Sequence, residues 1–246
     1  MLGLGSSLLK GGLATPGIVT DSLVLKHNYA AGPVVPVSDG AIYFDASADS
    51  YVTAVGSPSL DFTDAFSSCF WIKTVQGGST QDWDSLWGKG DLVAGVQVYS
   101  LKFTNSDVIR LELNEDSGSR ADSTSTFTSA TDGIWFHVAC TYDKSNTKMY
   151  INGALEDTTS YSTSISTNNE LLHIGMASNT GNGFKGYMCN LGMWNVALTQ
   201  AQIKSIMNKK YTGLTSGEST GLVSWWGFDA DANDATGTNN GTISGG

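Results

Sequence analysis

Ile134-Trp-Phe-His-Val-Ala-Cys-Thr-Tyr142 is the most apolar run of the chain. Phe136, Val138, Cys140 and Tyr142 share one face of an extended strand; Trp135, His137, Ala139 and Thr141 share the other. Two partly apolar faces predict a central strand of a sandwich. Downstream, Asp143-Lys-Ser-Asn146 is turn-like and Lys148-Met-Tyr-Ile151 resumes a strand. Asn152-Gly153 follows directly, the strongest short-range hairpin signal. Upstream, Val96 to Phe103 and Val108 to Leu113 alternate at period two, as strands with one buried face do. Further strands are expected at Ala41–Phe44, Tyr51–Val55, Ser67–Val75, Ser85–Lys89, Glu170–Ile174, Gly186–Trp194 and Gly221–Phe228. One short helix is expected over Thr199–Tyr211. Thr199 and Gln202 form a capping box, Ile203, Ile206 and Met207 an apolar face, and Lys209-Lys210 a cationic end.

Composition agrees with an all-β reading. Charged residues are only 15 % of the 246, against a typical quarter, and glycine is abundant at 29. Residues 1–40 stand apart. They hold three of the four prolines, many glycines and a single strand-like run, Ser22–Lys26. That segment reads as an extended arm before a domain over 41–246. The net charge is −10 and basic residues are scattered, which excludes nucleic-acid binding. No apolar run approaches the roughly 20 residues of a membrane span, so no membrane insertion is expected. The start does not read as a signal peptide, which predicts cytoplasmic synthesis without classical secretion. Cys69, Cys140 and Cys189 each lie in a hydrophobic strand, the pattern of buried free thiols.

Several segments in order resemble the laminin-G-like (concanavalin-A-like lectin/glucanase) family. Ile42 to Val52 is similar to its opening hairpin, with Ala46 in place of the usual glycine. Phe70-Trp-Ile72, Leu86-Trp-Gly-Lys-Gly90, Trp135-Phe-His-Val-Ala139 with Tyr142-Asp143, and Tyr150-Ile-Asn-Gly153 are similar to later motifs. His173-Ile-Gly175, Phe184-Lys-Gly-Tyr187 and Trp194 to Thr199 complete the order. The resemblance covers roughly residues 41–210 and implies an antiparallel two-sheet jelly roll with a curved face. Gly221 to Asp229, with Asn239-Asn-Gly241, resembles a family segment that usually precedes the domain; here it follows the helix. That order, with a Gly-rich start, is similar to laminin-G-like proteins of marine tailed bacteriophages.

Because this fold hosts glycosidases, paired carboxylates come first among candidate sites. Retaining enzymes hold two of them about 5–5.5 Å apart. The nearest pattern is Glu112-Leu-Asn-Glu-Asp116, where Asn114 stands in the place of the glucanases' central Asp and Ser117-Gly118 follows at once. The run reads as a strand entering a turn, so no catalytic residue is assigned. His137 and His173 lie inside strands and read as structural, and no Gly-x-Ser-x-Gly elbow supports a serine triad. No metal site or cofactor is assigned either. Calcium has two candidate places, the run Asp229 to Asp234 and the pair Asp45 and Asp49; the competing reading is Asp and Asn capping turns. Carbohydrate binding has one, Trp83 between Asp82 and Asp84 in a polar stretch. The alternative there is a tryptophan tucked over the rim of the sandwich.

These features predict a non-enzymatic virion structural protein: a capsid decoration, head-fibre or tail-appendage subunit. It is expected to dock on capsid or tail subunits through its arm, to be a homo-oligomer, and to contact host glycans. The alternative is a carbohydrate-binding lectin module outside a virion.

Overall fold

The computed structural model describes residues 35–46, 50–75, 83–90, 97–177 and 182–245. Residues 1–34 of the arm, the strand-like run Ser22–Lys26 among them, therefore lie outside the described residues, as do Asp49 and Asp82. Fourteen strands run through the described residues. The first seven are β1 (Ile42–Asp45), β2 (Tyr51–Ala54), β3 (Phe66–Thr74), β4 (Ser85–Lys89), β5 (Tyr99–Phe103), β6 (Ile109–Leu113) and β7 (Asp116–Asp122). Then come β8 (Trp135–Tyr142), β9 (Asn146–Ile151), β10 (Ala154–Ser160), β11 (Leu172–Ile174), β12 (Lys185–Trp194), β13 (Leu222–Trp226) and β14 (Gly241–Ser244). Sheet I has the order β1-β12-β3-β8-β9-β10, with β13 also on β12; sheet II has the order β14-β2-β11-β4-β5-β6-β7. All the strand pairs are antiparallel, so the expected sandwich is what the chain forms.

The apolar run Trp135–Tyr142 forms β8, paired on both sides inside sheet I. Phe136, Val138, Cys140 and Tyr142 point into the main core beside Phe66, Phe70 and Trp226. Part of the opposite face, around Ala139, is covered by helix α1 (Gln200–Ile206), whose Ile203 and Ile206 pack on Ala139, Tyr150 and Trp194. The Thr199–Gln202 capping box forms as expected, but the helix ends at Ile206, short of Tyr211. A one-turn helix not foreseen in the sequence, α2 (Ser216–Ser219), follows with its own box between Thr215 and Glu218. Lys209 bonds both oxygens of Glu218 at 2.7 Å and ties the end of the first helix to the second. Buried tryptophans of sheet I find acceptors for their indole N–H. Trp71 donates to the Met207 carbonyl, Trp194 to that of Glu218 and Trp226 to that of Asn239.

Asn152 and Gly153 take the left-handed region, at φ 50° and 74°, and turn β9 into β10. Gly175 is required for a different reason. Its φ is +85°, and a Cβ there would stand 2.3 Å from the Phe44 ring. The three cysteines are free and buried, and burial raises each thiol pKa, that of Cys189 to about 12.

The C-terminal segment closes both sheets. β13 pairs with β12 in sheet I, and β14 pairs with β2 at the edge of sheet II. Asp234, between them, is 4 % exposed and accepts from the backbone N–H groups of Trp225, Thr236, Thr238 and Asn239 and from the Thr236 hydroxyl. At the other end of the sandwich the edges β7 and β10 lie together. Glu156 accepts from Thr124 N and Ser125 N, and Asp157 from Asp122 N, so side chains of one edge satisfy the backbone of the other.

Candidate functional site

The outer face of sheet II collects polar and aromatic side chains from five strands, and the strand register dictates which. Tyr99, Leu101, Phe103, Ile109, Leu111 and Leu113 fill the core, so Ser100, Lys102, Arg110 and Glu112 point outward. On β4, Ser85 faces Lys102 and Gly88 faces Ser100; a register shift between them turns both Leu86 and Trp87 inward. His173 stands beside Gly88 on the same face, and Tyr51 lies 6.0 Å from the His173 ring. The side-chain amide of Gln97 lies against Gly88, which leaves no room for a Cβ of ordinary spacing.

Charge on this face is organised around Glu112. Its two oxygens accept separately, one from Lys102 at 2.6 Å and the other from Arg120 at 2.7 Å. Burial alone would raise this carboxyl pKa, but the two cations outweigh it and hold it below its ordinary range. A glycosidase acid needs the reverse shift. Arg110 and Asp122 form a bidentate pair beside it at 2.7 Å. Asn114 and Glu115 both sit near φ 54°, so the Glu112–Asp116 run enters a turn, as the sequence shows, and that turn leads straight into β7, which the sequence does not show. Asn114 bonds Tyr161, Ser164 and Ser166 and takes no part in a carboxylate pair.

Trp83 stands at the rim of this face. The residue is 41 % exposed, and the Lys102 ammonium lies 5.9 Å from the ring centroid. Its backbone is left-handed, at φ 66°, a conformation costly for a bulky residue. Asp84 is buried, and its backbone carbonyl accepts from Phe103 N. Of the three sugar-site residues expected from the sequence, then, Trp83 is presented to solvent, Asp84 is buried and Asp82 lies outside the described residues. Beside them, Ser85 Oγ, Ser100 Oγ and Gln97 Oε1 are buried without hydrogen-bond partners. The sequence reading passed over these three and Lys102, although the period-two pattern of β5 already placed Ser100 and Lys102 on one face.

The histidines differ. His137 is buried edge-on against Trp71, and burial pushes its pKa down to about 3, so it stays neutral. His173 is half-buried on the outer face of sheet II. A separate cleft of about 340 Å³ opens where β1 and β13 both flank β12, lined by Tyr211, Trp225 and Asp229 among others. Its polar groups are already engaged. Asp229 accepts from Ser38 Oγ, Asp39 N and Gly40 N, Lys210 binds the Asp39 carboxylate, and Asn190 donates to the Val37 carbonyl. The cleft is thus a junction that pins residues 37–40 to the sandwich. The carboxylates of Asp229, Asp231 and Asp234 turn to nearby backbone and amide donors. Among the described residues no group of three or more His, Cys, Asp or Glu side chains is placed to hold an ion.

A model of the concanavalin A-like lectin/glucanases superfamily matches residues 45–204. The chain belongs to this superfamily. No curated protein matches it. Among solved structures, it is similar to a Bacteroides ovatus protein assigned to carbohydrate binding, with 19 % identity and a TM-score of 0.59 over 83 % of this chain and 59 % of that one. It is also similar to domain 4 of a GH43 extracellular arabinanase from Geobacillus stearothermophilus, solved with arabinotriose. There the identity is 16 % and the TM-score 0.51, over 68 % of this chain and 76 % of that one. The binding domain of Paraclostridial Mosquitocidal Protein 1 gives 17 % identity and a TM-score of 0.55, over 68 % and 43 %. At these identities the likeness is one of fold, and the chain spans 59 % of the length of the Bacteroides protein.

Proposed function

We propose that this chain is a non-catalytic carbohydrate-binding module, and that a glycan lies on the outer face of sheet II against Trp83. One observation carries the reading: an exposed indole held on a left-handed backbone. Such a conformation costs about 1–3 kcal/mol and clusters at functional sites. The ring does not recover that cost by full burial. The exposed ring offers a stacking face for the CH-rich side of a sugar, with the Lys102 ammonium 5.9 Å from its centroid. The Glu112 carboxylate, locked between two cations, supports a binding role over an acid–base one. Two of the similar structures are a protein assigned to carbohydrate binding and an arabinanase domain with bound arabinotriose.

The test is a glycan array followed by titration of the best hit. Trp83→Ala is expected to weaken binding about tenfold, or roughly 1.4 kcal/mol, and Trp83→Phe to retain most of it. Both variants should keep the wild-type far-UV dichroism. Equal binding by the alanine variant would end the assignment to this face. A virion location, with the arm of residues 1–40 docking on capsid or tail subunits through the part that precedes residue 37, belongs to the same proposal and rests on sequence composition and on the resemblance to laminin-G-like proteins of marine tailed bacteriophages. Particle proteomics and a truncation beginning at residue 35 test it.

A further inference from the structure

The outer face of sheet I carries a second set of ligand-type side chains, unrelated to Trp83. Tyr43, Tyr187, Lys73 and Trp135 face one another in register across β1, β12, β3 and β8. Adjacent strands are about 4.8 Å apart, so the row spans roughly 14 Å. Helix α1 and the residue that follows it cover the neighbouring row, where Met207 packs on Trp71 and Cys189. They leave this one open: Tyr43 is 44 % exposed, and Tyr187, Lys73 and Trp135 are half-buried. The Lys73 ammonium stands 4.3 Å from the Tyr187 centroid and 5.1 Å from that of Trp135, and Tyr43 packs on Tyr187 at 4.9 Å.

The charge pattern says what this row would take. Eleven basic side chains lie among the described residues, and eight are ion-paired to carboxylates. Lys73, Lys185 and Lys204 are not. Two of these three share this face, because Lys185 lies two residues before Tyr187 on β12. Asp45 stands across from Lys185 in the register. In a protein of net charge −10, Lys73 and Lys185 thus stand beside three aromatic rings without a close ion pair to a described carboxylate. The long-range repulsion of an anion by the rest of the chain is screened within about 8 Å at physiological salt.

We propose that this face binds an acidic polysaccharide of the polyuronate class. A pyranose ring stacks on Tyr43, the exposed ring of the row, the edges of Tyr187 and Trp135 extend the contact, and the uronate carboxylates meet Lys73 and Lys185. The flat row suits an extended chain better than a single sugar. The proposal stands independently of the Trp83 face, and its test separates the two. Alginate, neutral mannan and inorganic polyphosphate are titrated against the full chain by calorimetry. Alginate is expected to bind, and mannan and polyphosphate at least tenfold more weakly. Tyr43→Ala and Lys185→Gln are each expected to weaken alginate binding about fivefold or more, while Trp83→Ala leaves it unchanged. Both sheet I substitutions are at the surface, and unchanged melting temperatures confirm intact folds; if either variant is destabilised, Tyr43→Phe and Lys185→Arg must restore binding. Absence of alginate binding overturns the proposal. So does polyphosphate binding as tight as alginate, which would show a charge effect without stacking. Loss in Trp83→Ala with full binding in Tyr43→Ala would move the ligand to sheet II and overturn it as well.

Discussion

Asp234 is the place where a single atom change tests the architecture most directly. One oxygen accepts from Trp225 N at 2.8 Å and Thr236 N at 3.0 Å; the other from Thr236 Oγ1 at 2.7 Å, Asn239 N at 2.9 Å and Thr238 N at 3.3 Å. Alanine at this position strands the donors of Trp225 and Asn239 in the interior, while those of Thr236 and Thr238 are better placed to reach water. An unmet buried donor costs about 1–3 kcal/mol, so the expected loss is about 3–5 kcal/mol. That is a large part of a typical 5–15 kcal/mol stability, and at roughly 2–4 °C per kcal/mol it lowers the Tm by about 10–15 °C. Asparagine is expected to cost nearly as much, about 2–4 kcal/mol, because either orientation of its amide points N–H groups at N–H donors. Urea unfolding followed by tryptophan fluorescence, with and without EDTA, measures these values. If the alanine variant loses under about 1 kcal/mol, the carboxylate does not hold the β13–β14 connection. If EDTA lowers the wild-type Tm but leaves both variants unchanged, Asp234 is a cation ligand and the turn-capping account fails.

Glu218 makes stability pH-dependent. Burial would raise its carboxyl pKa, but bonds from Lys209, Ser205 and Thr215 outweigh it and carry it from the ordinary 4.5 to about 2. A pKa depressed in the folded state contributes stability above 4.5 that is lost as pH falls toward 2. Discounted for the half-exposed Lys209, the loss is about 1–3 kcal/mol, and Glu218→Gln should flatten that part of the acid titration. Gly175→Ala combines an unfavourable φ with a clash against Phe44; it is expected to cost about 3 kcal/mol or more in chemical denaturation, and a near-neutral result would mean the ring moves freely. Glu112→Gln should cost about 2–4 kcal/mol by leaving Lys102 and Arg120 without their counter-ion, with no hydrolysis of β-glucans by either protein; turnover that disappears in the variant would make Glu112 catalytic.

Strands with an apolar face are legible from local sequence alone. β8 was legible because its two faces each carry a distinct set of large side chains, and α1 because Thr199, Gln202, Ile203 and Ile206 stand at helical spacing. The Asn152-Gly153 turn was legible because few residue pairs take two successive left-handed conformations. β7, Asp-Ser-Gly-Ser-Arg-Ala-Asp, and β10, Ala-Leu-Glu-Asp-Thr-Thr-Ser, carry no such pattern. They are edge strands whose extended form comes from pairing with β6 and β9 and from the Glu156 and Asp157 bonds across the seam, which no local window contains. The same holds for the candidate site. Trp83 stood out as a large ring in a polar stretch, but its neighbours Ser85, Ser100, Lys102 and Glu112 become neighbours only through the β4–β5–β6 register. The aromatic row of sheet I joins four segments between residues 43 and 187 that are distant in the chain. Side-chain chemistry is local and was readable; which chemistries share a surface depends on strand order, and tertiary pairing alone decides that.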